Sequence, residues 1–329
     1  MRRREFLRVA GAGAVGLVPA AGLLPAGTRR DRAERLVERW SWVMGQSVQL
    51  KVFAGSDDQG YEAAAAALAE LRRVESRLSL FDDASDLSEF NRRAGRPPAR
   101  VGADLLTVLR AAARFHRLTG GAFDLAVEPL MRAWGFRQPR VTPPSARELA
   151  EATRSVRESR VMLDGSRASL TGADARLDGG GIAVGYGLDR ALAALKAHGI
   201  RRALLDVSGD CCALGAPPGA RGWPVAVVDS AHPRRTPRIV LLRDAALATS
   251  ANTVAAIRYG PTRIGHVMDP QAGRPAGGPT QVTVVARTGI EADALSTALL
   301  VSGRPVPGVI DWFEPAAQGA EARLAAPVP

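Results

Sequence analysis

The chain has 329 residues, 46% of them hydrophobic and 23% charged, the balance of a globular protein able to bury a large core. Its net charge of +11 rests almost wholly on arginine, since Lys51 and Lys196 are the only lysines. No arginine run is long enough, or interleaved with aromatics, to form a nucleic-acid groove, so nucleic acid is excluded as a partner; scattered guanidinium groups suit a solvated surface that favours anionic ligands or a membrane face.

The N-terminus reads Met1-Arg-Arg-Arg-Glu-Phe-Leu-Arg8, followed by an apolar run from Val9 to Leu24 and by small residues at Leu24-Pro-Ala26. A basic start, a short apolar stretch and a small-residue cleavage site predict a signal peptide over residues 1–26, and Arg3-Arg4-Glu5-Phe6-Leu7 has the look of a twin-arginine signal. The expectation is export to the periplasm or beyond. The region has no cysteine for a lipobox, so a lipoprotein is not expected.

Residues 27–40 read as a charged linker. Val48–Phe53 alternates apolar and polar residues and predicts a strand. Helices are predicted over Tyr61–Arg77, over Leu105–Leu118 before Gly120-Gly121, and over Ser145–Val156. Short strands are expected near Val161, Ser169 and Arg176. A helix over Ile182–His198 stops at Gly199, and strands follow over Ala203–Val207, Pro224–Val228, Ile239–Leu242 and Gln281–Ala286. Cys211 and Cys212 are adjacent, a spacing that suits neither a disulfide nor a zinc site, and they are expected to be buried small apolar groups. The last helix, Ile290–Ser302, ends at Gly303, and residues 314–329 read as a flexible tail. The elements interleave without strict βαβ alternation, which predicts an α+β fold with mixed sheets and flanking helices.

Four segments carry chemistry. In Glu291-Ala-Asp-Ala-Leu-Ser-Thr297, Asp293 and Thr297 stand four residues apart and stack on one helix face, two hard oxygen donors of the kind Mg²⁺ takes. The competing reading gives the Asp to the helix N-terminus and turns the Thr back onto a carbonyl. Asp178-Gly-Gly-Gly-Ile-Ala-Val-Gly185 joins a strand to a helix, as either a phosphate-binding loop or a plain tight turn. Thr119 through Phe136 packs glycines, an aromatic, an acid and Trp-Gly into a non-periodic stretch that lines a site or forms a core corner. His266-Val-Met-Asp-Pro270 sets an imidazole and a carboxylate beside a turn.

Taken in order, Met44-Gly45, Leu78-Ser-Leu-Phe81, Ser88-Glu-Phe-Asn91, Thr119–Phe136, Asp178–Gly185, Ser208-Gly-Asp210, Ala248-Thr-Ser250, His266–Pro270 and Ala292–Thr297 resemble the ApbE family of FAD:protein FMN transferases, across residues 41–313. The resemblance implies a fold of two interlocked subdomains with the active site between them. It implies FAD as substrate, Mg²⁺ as cofactor, cleavage of the pyrophosphate, FMN attached to a Ser or Thr of an acceptor protein, and AMP released. It assigns the metal to Asp293, Thr297 and the carbonyl of Gly181, and flavin or adenine contacts to Met44, Phe81, Ala122, Phe123, Asp124, Asp178, Val184 and Val267. Acceptance of the target proton falls to His266 or a nearby carboxylate, and His266 and Asp293 are the candidate catalytic residues. The acceptor is expected to be a redox protein, with a membrane redox complex as its setting. Three positions depart from the family pattern: Val184 for the usual Lys, Gln46 for Thr, and Ala251-Asn252 after the Ala-Thr-Ser motif. Two alternatives stay open: hydrolysis of FAD to FMN and AMP, and an exported flavin binder without catalysis.

Overall fold

A computed structural model describes residues 34–253, 255–304, 306–314 and the strand Arg323–Ala325. The predicted signal peptide lies outside these residues. Seven strands build the main sheet: β1 (Arg35–Val43), β2 (Gln46–Ala54), β3 (Arg202–Val207), β4 (Asp210–Leu214), β5 (Ala246–Ala251), β6 (Gln281–Ala286) and β7 (Asp311–Phe313). They lie side by side in chain order, and every neighbouring pair is antiparallel. Parallel pairing occurs in a small second sheet, where Arg323–Ala325 runs beside Arg238–Leu242, itself paired with Trp223–Val227. The α+β class holds, but the mixed character sits in this small sheet and not in the main one.

Both faces of the main sheet are covered. Ala203, Leu205, Val207, Cys212, Ala246, Ala248, Val282 and Val284 face the helical layer. Leu204, Cys211, Ala213, Leu247 and Val285 face the small sheet with Trp223, Val225, Val240 and Leu242. A strand buried on both sides reads as a continuous apolar run, which is what Ala203–Val207 and Gln281–Ala286 show. Cys211 and Cys212 are free and buried on β4, one toward each core, as expected.

Among the described residues seven helices complete the fold: α1 (Asp57–Leu78), α2 (Asp86–Arg92), α3 (Ala103–Leu118), α4 (Glu128–Ala133), α5 (Ala146–Glu158), α6 (Ala183–Ala197) and α7 (Gly289–Ser302). Ser56 caps α1 by accepting from Gln59 N, and its buried residues at 60, 63, 64, 67, 68, 71, 74 and 78 form one apolar stripe. α1, α6 and α7 pack together on the sheet. α7 is buried nearly all round, and Gly303 ends it in a left-handed conformation (φ 62°). The segment between α1 and α6 forms the second subdomain, with α2 to α5 and a sheet in which Arg167–Leu170 lies between Ala99–Arg100 and Val161–Asp164. Among the described residues no helix is long and apolar enough to cross a membrane.

Three expectations are corrected. Residues 27–40 are not all linker: from Arg35 the chain is the edge strand of the main sheet, with only Val37 and Val43 buried, so the apolar pattern is too sparse to read. No strand forms at Arg176; residues 171–182 are loop and turn, held in place by Asn91 instead of a ladder. Within the predicted tail, Arg323–Ala325 pairs with β-structure through backbone bonds, which need no apolar pattern.

Candidate active site

The last helix provides the first part of the site. Its N-terminal amides are already served: Thr288 Oγ1 accepts from Glu291 N at 3.4 Å, and Asp189 of α6 accepts from Gly289 N at 2.6 Å and Ile290 N at 2.9 Å. Asp293 is therefore not spent on capping. Its carboxylate lies in the core, 6% exposed, where Oδ2 accepts from Gly185 N at 2.9 Å. Nor does Thr297 bond backward; Ser296 donates to the Asp293 carbonyl at 2.9 Å, while Thr297 Oγ1 lies 3.2 Å from Ser250 Oγ on β5.

The glycine loop provides the second part. Asp178 N donates to Leu125 O at 2.7 Å, and Asn91 clamps the preceding residue through Nδ2 to Leu177 O (2.9 Å) and Leu177 N to Oδ1 (2.8 Å). The loop then runs directly against α7: a Cβ placed on Gly181 would fall 3.0 Å from Thr297 Oγ1 and 3.5 Å from the Phe123 ring. A Cβ on Gly185 would fall 2.1 Å from the Gly289 carbonyl oxygen. Glycine at 185 and 289 lets α6 and α7 touch backbone to backbone, and this contact brings Gly185 N onto Asp293.

Burial first, then the charge of Asp189, pushes the Asp293 carboxyl up to about 7, against the pull of Gly185 N–H. Asp210, which opens β4 and accepts from Thr249 N at 3.1 Å, is pushed well above the carboxylate range by burial and by Asp293. Among the described residues no three His, Cys, Asp or Glu side chains form a cage. A cation here would have one carboxylate, one hydroxyl and a glycine carbonyl, leaving positions for substrate oxygens and water, the way Mg²⁺ is commonly held. A buried carboxylate short of positive partners, beside a second acid, fits that ion.

The other predicted residues surround this centre at varying removes. Met44 and Gly45 form the two-residue turn between β1 and β2, both with positive φ, and Met44 packs on Gly187 of α6. The Ser208-Gly209 turn adjoins it, with Ser208 N donating to Ser47 O at 3.1 Å. Phe123 is buried against Phe115 edge to face, next to buried Ala122. Val184 is buried on α6. Asp178 pairs with Arg137, whose guanidinium lies 5.6 Å from the centre of the Phe81 ring, and Phe81 is 61% exposed. Val267 N donates to Asn252 Oδ1 at 3.1 Å, so Asn252, a departure from the family pattern, braces the His266 turn. The Asp124 carboxylate is engaged elsewhere, with Oδ1 accepting from Ala126 N at 2.8 Å and Oδ2 lying 3.3 Å from His116 Nδ1. A groove of about 750 Å³ lined by Glu128, Arg132, Arg140 and Glu148 includes none of the predicted residues.

His266 is half-buried and its Nδ1 lies 3.2 Å from Ala255 O. A carbonyl only accepts, so Nδ1 carries the hydrogen and Nε2 is left as the basic nitrogen. Burial pulls its pKa below the usual imidazole value, with Asp178 opposing and Arg137 adding to the fall.

The ApbE family model matches residues 44–322. The chain belongs to the ApbE family. It is 30% identical over 239 residues to an FAD:protein FMN transferase of Vibrio cholerae, covering 71% of each chain. One from Rhodobacter capsulatus is 30% identical over 92% of this chain and 58% of its own. Among solved structures, an ApbE protein of Thermotoga maritima superposes with TM-score 0.73 at 30% identity, covering 81% of this chain and 87% of that one. The apo flavinyl transferase ApbE of Pseudomonas stutzeri gives TM-score 0.71 at 28% identity, covering 82% and 85%.

Sequence reasoning assigned no role to Ser250, Asp210, Arg137 or Asn252. The first two lay inside quoted motifs, and only their contacts across the sheet reveal what they touch.

Proposed function

We propose that this ApbE-family protein is an FAD:protein FMN transferase that joins FMN to a Ser or Thr hydroxyl of an acceptor protein and releases AMP, with Mg²⁺ held by Asp293, Thr297 and the Gly181 carbonyl. The observation that carries the reading is the meeting of the glycine loop with α7, which sets Gly181 against Thr297 and Gly185 N against Asp293. Family membership and the relatives' activity support the same reaction.

In that reaction the acceptor oxygen forms a bond to the FMN-side phosphorus, the bond from that phosphorus to the bridging oxygen breaks, and AMP leaves with the bridging oxygen. When bound, Mg²⁺ would neutralise charge that builds on the nonbridging oxygens. The glycine loop brings backbone, unshielded by side chains, to the diphosphate. The exposed Phe81 offers aromatic surface to a ring, while the buried Phe123 backs the glycine loop at Gly181. His266 Nε2 takes the acceptor hydroxyl's proton, a task for which a neutral imidazole is suited. Val184 supplies no charge where Lys is usual, so diphosphate binding leans on the metal and the backbone. The twin-arginine-like start supports a setting outside the cytoplasmic membrane.

Incubation with FAD, Mg²⁺ and a candidate acceptor domain is expected to give flavin fluorescence that survives denaturation and is lost with EDTA. AMP formed at the same rate without acceptor would instead favour FAD hydrolysis. Bound flavin with neither product would favour a binding protein.

A further inference from the structure

We propose that Ser250 is a positioning residue that orients the Thr297 hydroxyl, so that Thr297 presents lone pairs and not its hydrogen to the cation. The inference rests on the metal reading above. Three hydroxyls meet between β5 and α7. Ser250 Oγ lies 2.8 Å from Ser296 Oγ and 3.2 Å from Thr297 Oγ1. Those distances alone leave the donors open, and Ser296 settles them. Its hydroxyl donates to the Asp293 carbonyl at 2.9 Å, and each hydroxyl has one hydrogen to give. Ser296 therefore accepts from Ser250. Ser250, its hydrogen spent, accepts from Thr297.

The result is a one-way chain: Thr297 to Ser250, Ser250 to Ser296, Ser296 to the carbonyl of Asp293. It draws the Thr297 hydrogen toward β5 and leaves the remaining lone pairs of Oγ1 for the side on which Gly181 lies. Strand alternation keeps Ser250 in place for this. Its neighbour Thr249 points to the other face of the sheet, where its hydroxyl lies 2.9 Å from that of Thr283. Without Ser250 the Thr297 hydroxyl can rotate, and a hydroxyl hydrogen turned toward a divalent cation opposes its binding. Removing a partner that orients a metal ligand typically weakens metal binding by about 10- to 100-fold.

The test measures Mn²⁺, which takes the same oxygen ligands as Mg²⁺, by loss of the free-ion EPR signal on titration of the full protein with FAD present. Ser250→Ala is expected to weaken Mn²⁺ binding by about 10- to 100-fold, with FAD affinity in EDTA and the thermal midpoint close to wild type. Ser250→Cys, of similar size but a poor hydrogen-bonding group, should weaken it likewise and covers the case in which the alanine variant folds badly. Ser296→Ala frees the Ser250 hydrogen and should also weaken binding. The double variant Ser250→Ala/Ser296→Ala should be no weaker than Ser250→Ala alone, because the chain is already cut; independent structural losses would add. If Thr297→Val loses Mn²⁺ while Ser250→Ala and Ser250→Cys bind it as wild type does, the orienting role is overturned and the metal reading survives. If wild type and Thr297→Val bind Mn²⁺ alike, the metal reading falls and this inference with it.

Discussion

For the proposed base His266, the Ala255 carbonyl fixes the tautomer and burial favours the neutral ring. A lowered pKa means that the basic form persists to lower pH than for a free imidazole. The acid limb of the transfer rate is therefore expected below pH 6.5, read from kcat/KM against pH, and His266→Ala should slow transfer by about 10²- to 10⁴-fold. Full activity in that variant would remove His266 from the reaction. His116 behaves oppositely. Asp124 raises its pKa, so its contribution to stability is fully present below about pH 6.5 and is lost as pH rises through the higher folded value. Because the pair is partly exposed, His116→Gln should cost less than about 1 kcal/mol, and only on the acid side, by urea unfolding at two pH values. At this scale the sequence was readable where spacing encodes contact. Asp293 and Thr297 lie on one helical face because of the helix period. Ser250 touches Thr297 from β5, and Asp210 on β4 feels the charge of Asp293, and no local period carries that information.

The decisive contact between elements is the crossing of α6 and α7 at Gly185 and Gly289. In a helix interior Gly→Ala ordinarily gains about 0.5–1 kcal/mol from propensity. Here a Cβ on Gly185 would lie 2.1 Å from the Gly289 carbonyl oxygen and 2.7 Å from Asp293 Cβ, so the helices would have to separate. Gly185→Ala is expected to destabilise by about 1–3 kcal/mol, seen as a lower urea midpoint, and to weaken metal binding because Gly185 N leaves Asp293. A stabilised variant would show that the helices do not cross this closely. Asn91→Ala should cost about 2–3 kcal/mol, since it removes both bonds that fix Leu177 ahead of the glycine loop. Five of the seven helices among the described residues were legible in the sequence to within four residues at either end, while the short α2 and α4 were not predicted. Strand β1 was not, since its outer face carries exposed Trp40 and Trp42 and reads as no pattern at all. The Arg176 segment was over-read for the opposite reason, as a polar stretch whose order comes from Asn91 and not from pairing.

Across the whole molecule, the seven-stranded antiparallel sheet fixes the distance between parts of the site that are far apart in sequence. Its β3–β4 turn leads into Asp210, its fifth strand carries Ser250, and its sixth leads into α7. The inserted subdomain returns through Asp178 to the glycine loop, which meets α7 at Thr297 and Asp293. The fold class was legible from the irregular alternation of elements, and family membership follows from motifs in order and from the match over residues 44–322. The antiparallel order of the sheet was not legible, because strands buried on both faces carry no alternation from which to judge their neighbours. The proposed grip of α7 and the glycine loop on one divalent ion together with the FAD diphosphate is open to a metal–ligand linkage measurement. FAD affinity, measured by fluorescence titration with and without Mg²⁺, should rise by about 5- to 150-fold with the metal in wild type. In Asp293→Asn that increase should vanish while the metal-free affinity stays the same. An equal Mg²⁺-dependent increase in Asp293→Asn would show that Asp293 does not hold the metal.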